Sequence, residues 1–141
     1  MADERYLVDT STWILALRPG EDDTARRWLD QALSADSVVT HPVVKAELLA
    51  GTKTEQEFDA LEPLLQALAV LNPEEQTWRE AARLCFRLRR KGFSIPLLDA
   101  VLAAAAAAEG CVLVHHDRHY EKLREVAGCR TQAVPSLPPE N

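Results

Sequence analysis

At 141 residues, with 47% hydrophobic and 27% charged side chains, the chain has enough material for one domain with its own core and too little for two. Its net charge of −6 argues against an architectural nucleic-acid binder, which normally carries a basic surface, but it leaves room for a nuclease whose acidic site contributes several of those charges. Cys85, Cys111 and Cys129 show no CxxC spacing and read as buried, reduced thiols of a cytoplasmic protein rather than a disulfide or zinc framework.

The first apolar run, Tyr6–Val8, ends at Asp9. Ala25, Trp28, Leu29, Ala32 and Leu33 then follow the i, i+3, i+4 rule of an amphipathic helix. A second run, Ser37–Thr40, precedes Pro42, which suits a first helical position, and Gly51 suits the end of that helix. Glu47 falls inside it, about 7 Å along its axis from Pro42. A further helix is expected from about Thr54 to Leu68, with Pro63 kinking or splitting it. After a third run at Ala69–Leu71, Trp78, Ala81, Ala82, Cys85 and Leu88 mark a helix that stops near Gly92. Pro96 suits the start of the next helix, which carries Asp99 and stops near Gly110. Its apolar stretch, Val101–Ala108, is far short of the ~20 residues of a membrane helix. The fourth run, Cys111–Val114, leads through two histidines to Asp117, and the fifth is Thr131–Val134. No signal peptide is expected from the acidic N-terminus and its short apolar runs.

The runs do not alternate with polar residues, as expected of strands covered on both faces, and helices separate them. The predicted fold class is therefore α/β, a sandwich around a mainly parallel sheet. Residues 1–134 form the expected single domain and residues 135–141 a loose Pro-rich tail. Asp9 and Asp117 lie just past the carboxyl ends of their strands, and Glu47 sits early in a helix that follows one. In open α/β sheets this edge is where ligands bind. Asp99 reaches the same edge only if its helix starts there, which the sequence leaves open.

Four carboxylates meeting at one point need a cation. Two unit charges ~4 Å apart repel by ~4 kcal/mol at an effective dielectric of 20. Mg²⁺ or Mn²⁺ reverses the sign of that interaction and takes oxygen ligands. Near a phosphodiester such an ion activates water and stabilises developing charge. Any one of these acids alone is more simply a loop or helix-end residue; the pattern of four carries the reading.

Four blocks bear a family resemblance. Leu7-Val8-Asp9-Thr10-Ser11 and Val44-Lys45-Ala46-Glu47-Leu48-Leu49-Ala50-Gly51 resemble the first two blocks of PIN-domain ribonucleases. Ile95-Pro96-Leu97-Leu98-Asp99-Ala100-Val101-Leu102-Ala103-Ala104 and Leu113-Val114-His115-His116-Asp117-Arg118-His119-Tyr120 resemble the third and fourth. Order, spacing and length resemble the VapC-type toxins of bacterial toxin–antitoxin pairs. The resemblance implies a three-layer α/β/α sandwich with about five strands and a Mg²⁺- or Mn²⁺-dependent endoribonuclease cutting transfer or ribosomal RNA. It further implies Asp9, Glu47, Asp99 and Asp117 as catalytic metal ligands, with Thr10 and Ser11 supporting Asp9. A homodimer and a cognate antitoxin with a basic tail are the implied partners. His115 stands where many relatives have threonine or serine.

Other features have plainer readings. His115 and His116 point to opposite strand faces, so both cannot enter one site, and hydrogen-bonding or surface roles suit them and His119. Arg87, Arg89, Arg90 and Lys91 read as a solvated helix end that also leaves an RNA-phosphate role open, and Arg118 is a candidate phosphate contact. Trp13, Trp28 and Trp78 read as core or partner surface, and apolar surface with Trp13 and Leu17 suits an antitoxin docking groove and a dimer contact equally. A haloacid-dehalogenase phosphatase resembles a D-x-D start, but Ser11 stands where its second acid belongs. A receiver domain lacks its paired acids and lysine. The alternatives retained are a stand-alone RNA-processing nuclease and a catalytically dead PIN-like binding module.

Overall fold

The computed structural model describes residues 3–140; residues 1, 2 and 141, which fall within the expected domain and tail, lie outside it. Five strands form one wholly parallel sheet: β1 (Tyr6–Val8), β2 (Val38–Thr40), β3 (Ala69–Val70), β4 (Val112–His115) and β5 (Arg130–Ala133), in the order β3-β2-β1-β4-β5. The helices are α1 (Thr10–Leu17), α2 (Thr24–Ser34), α3 (Pro42–Ala50), α4 (Glu55–Gln66), α5 (Glu75–Arg90), α6 (Leu97–Glu109) and α7 (His119–Ala127). Each expected strand is present within a residue or two; the central strands β1, β2 and β4 are buried as a covered parallel sheet requires, whereas the edge strands β3 and β5 are exposed or half-buried.

Chain order and handedness distribute the layers. From β1 the chain steps outward to β2 and β3 through α1–α4, then returns past β1 to β4 and β5 through α5–α7. Right-handed crossovers in opposite directions put these two groups on opposite faces. The packing agrees, because α1 touches α2 and α3 while α6 touches α5 and α7. The switch in direction falls between β1 and β4, so a crevice opens at their carboxyl ends.

Local chemistry sets the helix ends. Asp9 caps α1 by accepting from Ser11 N, and Thr54 caps α4 by accepting from Glu57 N. Pro42 is in the first turn of α3, whose cap is His41, through Nδ1 accepting from Val43 N. Two expectations are corrected. Pro96 is the residue before α6, with extended ψ of 136°, rather than its first helical residue. Of the kink and the split expected at Pro63, the split does not occur, because α4 continues through it. Gly110 ends α6 with φ of 67°, a left-handed turn open to glycine without a Cβ penalty.

The alanine run explains how α6 fits. Ala100 and Ala103–Ala106 are buried with Val101 and Leu102, so small side chains let α6 pack closely between α5, α7 and β4. No helix among the described residues is long and apolar enough to cross a membrane. Because α6 must end at the edge where β4 begins, it starts at the opposite edge, beside the crevice. That resolves the position of Asp99.

Candidate active site

Asp9 follows β1 and is almost fully buried. Its Oδ2 accepts from Ser11 N at 3.0 Å and Ser11 Oγ at 2.5 Å, and its Oδ1 accepts from Tyr120 Oη–H at 2.8 Å. Ser11 Oγ also accepts from His116 N at 2.9 Å, which ties the end of β4 to the same carboxylate. Asp9 N donates to Val114 O at 2.8 Å across the switch point. Three donors fix the carboxylate in one orientation, a preorganised acceptor rather than a mobile surface acid.

Asp117 lies two residues beyond β4 and Asp99 in the first turn of α6. His119, the first residue of α7, joins them. Its Nδ1 is 3.0 Å from Asp99 Oδ2 and 3.3 Å from Asp117 Oδ1, and its backbone N donates to Asp117 Oδ1 at 2.9 Å. One ligand-type atom from each of Asp99, Asp117 and His119 falls within 4.8 Å of the others. Burial pushes the Asp99 carboxyl up to about 6; His119 opposes the shift, while the charges of Asp9 and Asp117 add to it. Asp9 and Asp117 therefore sit close enough to Asp99 to disfavour its charged form.

Glu47 is exposed on α3, where Oε1 accepts from Thr10 Oγ1 at 2.9 Å. Thr10 neighbours Asp9, so it anchors Glu47 at the rim. Ser11 supports Asp9, as expected, whereas Thr10 acts on Glu47 instead. The donor set is carboxylate-rich with one imidazole, and burial together with the neighbouring acids disfavours the charged form of Asp99. Those properties fit an oxygen-preferring divalent cation.

Sequence reasoning passed over Tyr120. It is fully buried, and burial with the nearby carboxylates holds its hydroxyl protonated, so it remains a donor to Asp9. The available signal was a tyrosine on the apolar face of α7 in step with Leu123, since a buried hydroxyl needs a partner. Of the hydrogen-bonding and surface roles open to His119, the structure shows the first, as the bridge between two acids. His115 is buried against Tyr120, with ring centroids 4.9 Å apart, and Nδ1 accepts from Asp117 N at 3.2 Å. Burial lowers its pKa, so the ring is a neutral support of the Asp117 turn. His116 takes a separate path, its Nδ1 2.7 Å from Pro135 O.

Two surface expectations change. Trp13 faces the core, while Ile14 and Leu17 are exposed and line a groove of about 450 Å³ that includes Glu47, Leu48 and Leu61. Arg118 is engaged by its own chain. It contacts Glu121 at 3.5 Å, Glu140 at 3.4 Å and the carbonyl of Pro138, so Pro135–Glu140 folds back onto the turn between β4 and α7 rather than hanging loose.

The PIN domain profile matches residues 6–126. Ribonuclease VapC18 of Mycobacterium tuberculosis (strain ATCC 25618 / H37Rv) is 33% identical over 133 residues, covering 92% of this chain and 94% of its own. Among solved structures, the fold is similar to DNA-bound VapBC from Salmonella typhimurium, with a TM-score of 0.75, 22% identity, and coverage of 93% of this chain and 98% of that one. VapBC2 from Rickettsia felis, bound to a promoter DNA fragment, gives 0.74 at 20% identity, covering 92% and 98%. The chain belongs to the PIN domain family and, within it, stands with the VapC ribonucleases.

Proposed function

We propose that this chain is the endoribonuclease toxin of a toxin–antitoxin pair, hydrolysing phosphodiester bonds in structured RNA (transfer or ribosomal) with Mg²⁺ or Mn²⁺. The observation that carries the reading is the convergence of Asp9, Asp99 and Asp117 at the β1/β4 switch point, where the Asp99 carboxyl is pushed up to about 6. Asp9, Asp99 and Asp117 would hold the ion directly, with Glu47 at the rim as the fourth acid. Bound there, a divalent cation would offset the clustered charge and would supply the acidification of water and the stabilisation of phosphoryl charge.

The chain's own residues supply the positioning. Tyr120 and Ser11 aim the two oxygens of Asp9, His119 keeps Asp99 and Asp117 side by side, and His115 fixes the turn that presents Asp117. Thr10 holds Glu47 at the rim, where an acid is available to order water or take a proton.

The partner reading is a cognate antitoxin. An apolar helix of that antitoxin suits the Ile14/Leu17 groove, and a basic tail leaving it meets Glu47 and then the aspartates. An arginine of the tail would occupy the phosphate position and block the site. The toxin works as a homodimer in this reading. The similarity to VapBC complexes supports the pairing.

Induced expression tests the function. The parent chain is expected to arrest growth, co-expression of a small upstream-encoded partner to relieve it, and Asp9→Asn or Asp99→Asn to abolish it. Arrest that persists in both variants would sink the assignment of these acids.

A further inference from the structure

An acidic site that must receive a polyanion needs attraction nearby, and this chain concentrates it on one segment. Five of its 16 lysines and arginines lie between Ala81 and Leu98, where no acid occurs. Arg89, Arg90 and Lys91 are exposed at the end of α5. Two aromatic rings stand among them, with Phe86 60% exposed and Phe93 38% exposed. Each ring carries a cation: Arg90 Cζ is 5.5 Å from the Phe86 centroid, and Lys122 Nζ is 4.6 Å from that of Phe93.

This segment borders the acids. α5 and α6 pack along each other and are joined by residues 91–96, so the basic end of α5 shares the edge at which α6 begins and Asp99 stands. Cys85 Sγ donates to Ile95 O at 3.6 Å, binding the last turns of α5 to the loop that leads into α6. Lys122 is one turn beyond His119 on α7, hence on the same face as the imidazole that bridges Asp99 and Asp117.

We propose that Phe86 and Phe93, with Arg89, Arg90, Lys91 and Lys122, form a track for single-stranded RNA that feeds the acid cluster. Bases stack on the two rings, and the flanking cations take the phosphates, the combination used where a strand is held without reading its sequence. The inference rests on the ribonuclease reading and adds where the substrate lies. Charge selects the occupant. A basic antitoxin tail would be repelled here, and a second copy would bring like charges together across a two-fold axis, whereas RNA gains from every cation. The track lies on the α5–α7 face, away from the α1/α3 groove assigned to the antitoxin.

The test uses the full chain carrying Asp99→Asn, with Mg²⁺ present, and a fluorescein-labelled 12-nucleotide single-stranded RNA. Phe86→Ala and Phe93→Ala are each expected to weaken binding about tenfold, within the range for loss of one base–aromatic stack. Phe93→Trp should retain affinity and Phe93→Leu should not, which separates stacking from packing. Arg89→Gln with Arg90→Gln should reduce the slope of log K against log salt by about 1.4, at ~0.7 per phosphate on a single strand. Affinities within twofold of the parent and an unchanged salt slope would overturn the track even if the cleavage-competent chain cuts RNA. A chain that cuts no RNA but loses binding in these variants would contradict the ribonuclease reading and leave the track standing. If Phe86→Ala or Phe93→Ala dissociated a dimer and left RNA affinity intact, the face would belong to a second copy and the proposal would fail.

Discussion

Replacing Asp99 with asparagine should make the metal-free protein more stable at neutral pH. The Asp99 carboxyl titrates at about 6 in the folded chain against an ordinary value of 3.8. Each unit of difference is 1.36 kcal/mol, so ionising Asp99 costs the folded state at most about 3 kcal/mol above pH 6. The cleft is partly open to water, which screens the charges, and roughly 2 kcal/mol is the working figure. The asparagine side chain would keep an oxygen for His119 and lose the charge. In a chain of this size the gain corresponds to a rise in Tm of roughly 6 °C. The pH dependence follows from the sign. A folded-state pKa raised above the unfolded one means that the parent regains stability as pH falls from 6 toward 3.8, where both states are protonated, so the advantage of the variant should vanish near pH 4. The assay is thermal unfolding by circular dichroism in chelator at pH 8 and pH 4. Adding Mg²⁺ at pH 8 should raise the Tm of the parent and not that of Asp99→Asn, since only the parent offers the full carboxylate set. Equal or lower stability of the variant at pH 8, or an advantage undiminished at pH 4, would refute the claim that burial and the neighbouring acids make ionised Asp99 costly to the fold.

Three further outcomes follow from the geometry. Tyr120→Phe should cost about 1–2 kcal/mol in urea unfolding and slow RNA cleavage severalfold, because Asp9 Oδ1 loses its donor; unchanged kinetics would show that Asp9 needs no such orientation. Thr10→Val and Glu47→Gln should each slow cleavage, and the double variant should be little worse than Glu47→Gln alone, since Thr10 acts through Glu47; additive losses would separate the two. His41 is buried with its pKa lowered by that burial, so the unfolded chain takes up the proton first and stability is lost as pH falls below about 6.5. His41→Asn keeps an N-cap acceptor and should flatten this loss in Tm between pH 7.5 and 5; an identical decline in both proteins would place the acid sensitivity elsewhere.

The sheet was legible because a covered parallel strand is written as a short unbroken apolar run, and Tyr6–Val8 and Cys111–Val114 could be little else. Three of the four acids could be brought to one edge by the rule that strand ends and following helix starts share it. Asp99 could not, because α6 follows a helix, and only its run into β4 fixes its direction. The roles of His119 and Tyr120 depend on where α7 docks: one residue bridges two acids and the next buries its hydroxyl on Asp9, contacts that no local pattern encodes. Trp13 and Leu17 looked alike on α1, yet the helix turns the tryptophan inward and leaves Ile14 and Leu17 outside. The tail looked loose from its prolines, but its hold on His116 and Arg118 comes from carbonyls and Glu140, whose partners lie about twenty residues away.

RNA cleavage by the purified, partner-free chain tests the central claim most directly. After dialysis against chelator, the protein should cut a structured RNA only when Mg²⁺ or Mn²⁺ is restored, and Asp9→Asn should show no activity under any of these conditions. Full activity in chelator, or cleavage by Asp9→Asn at the parent rate, would contradict the account.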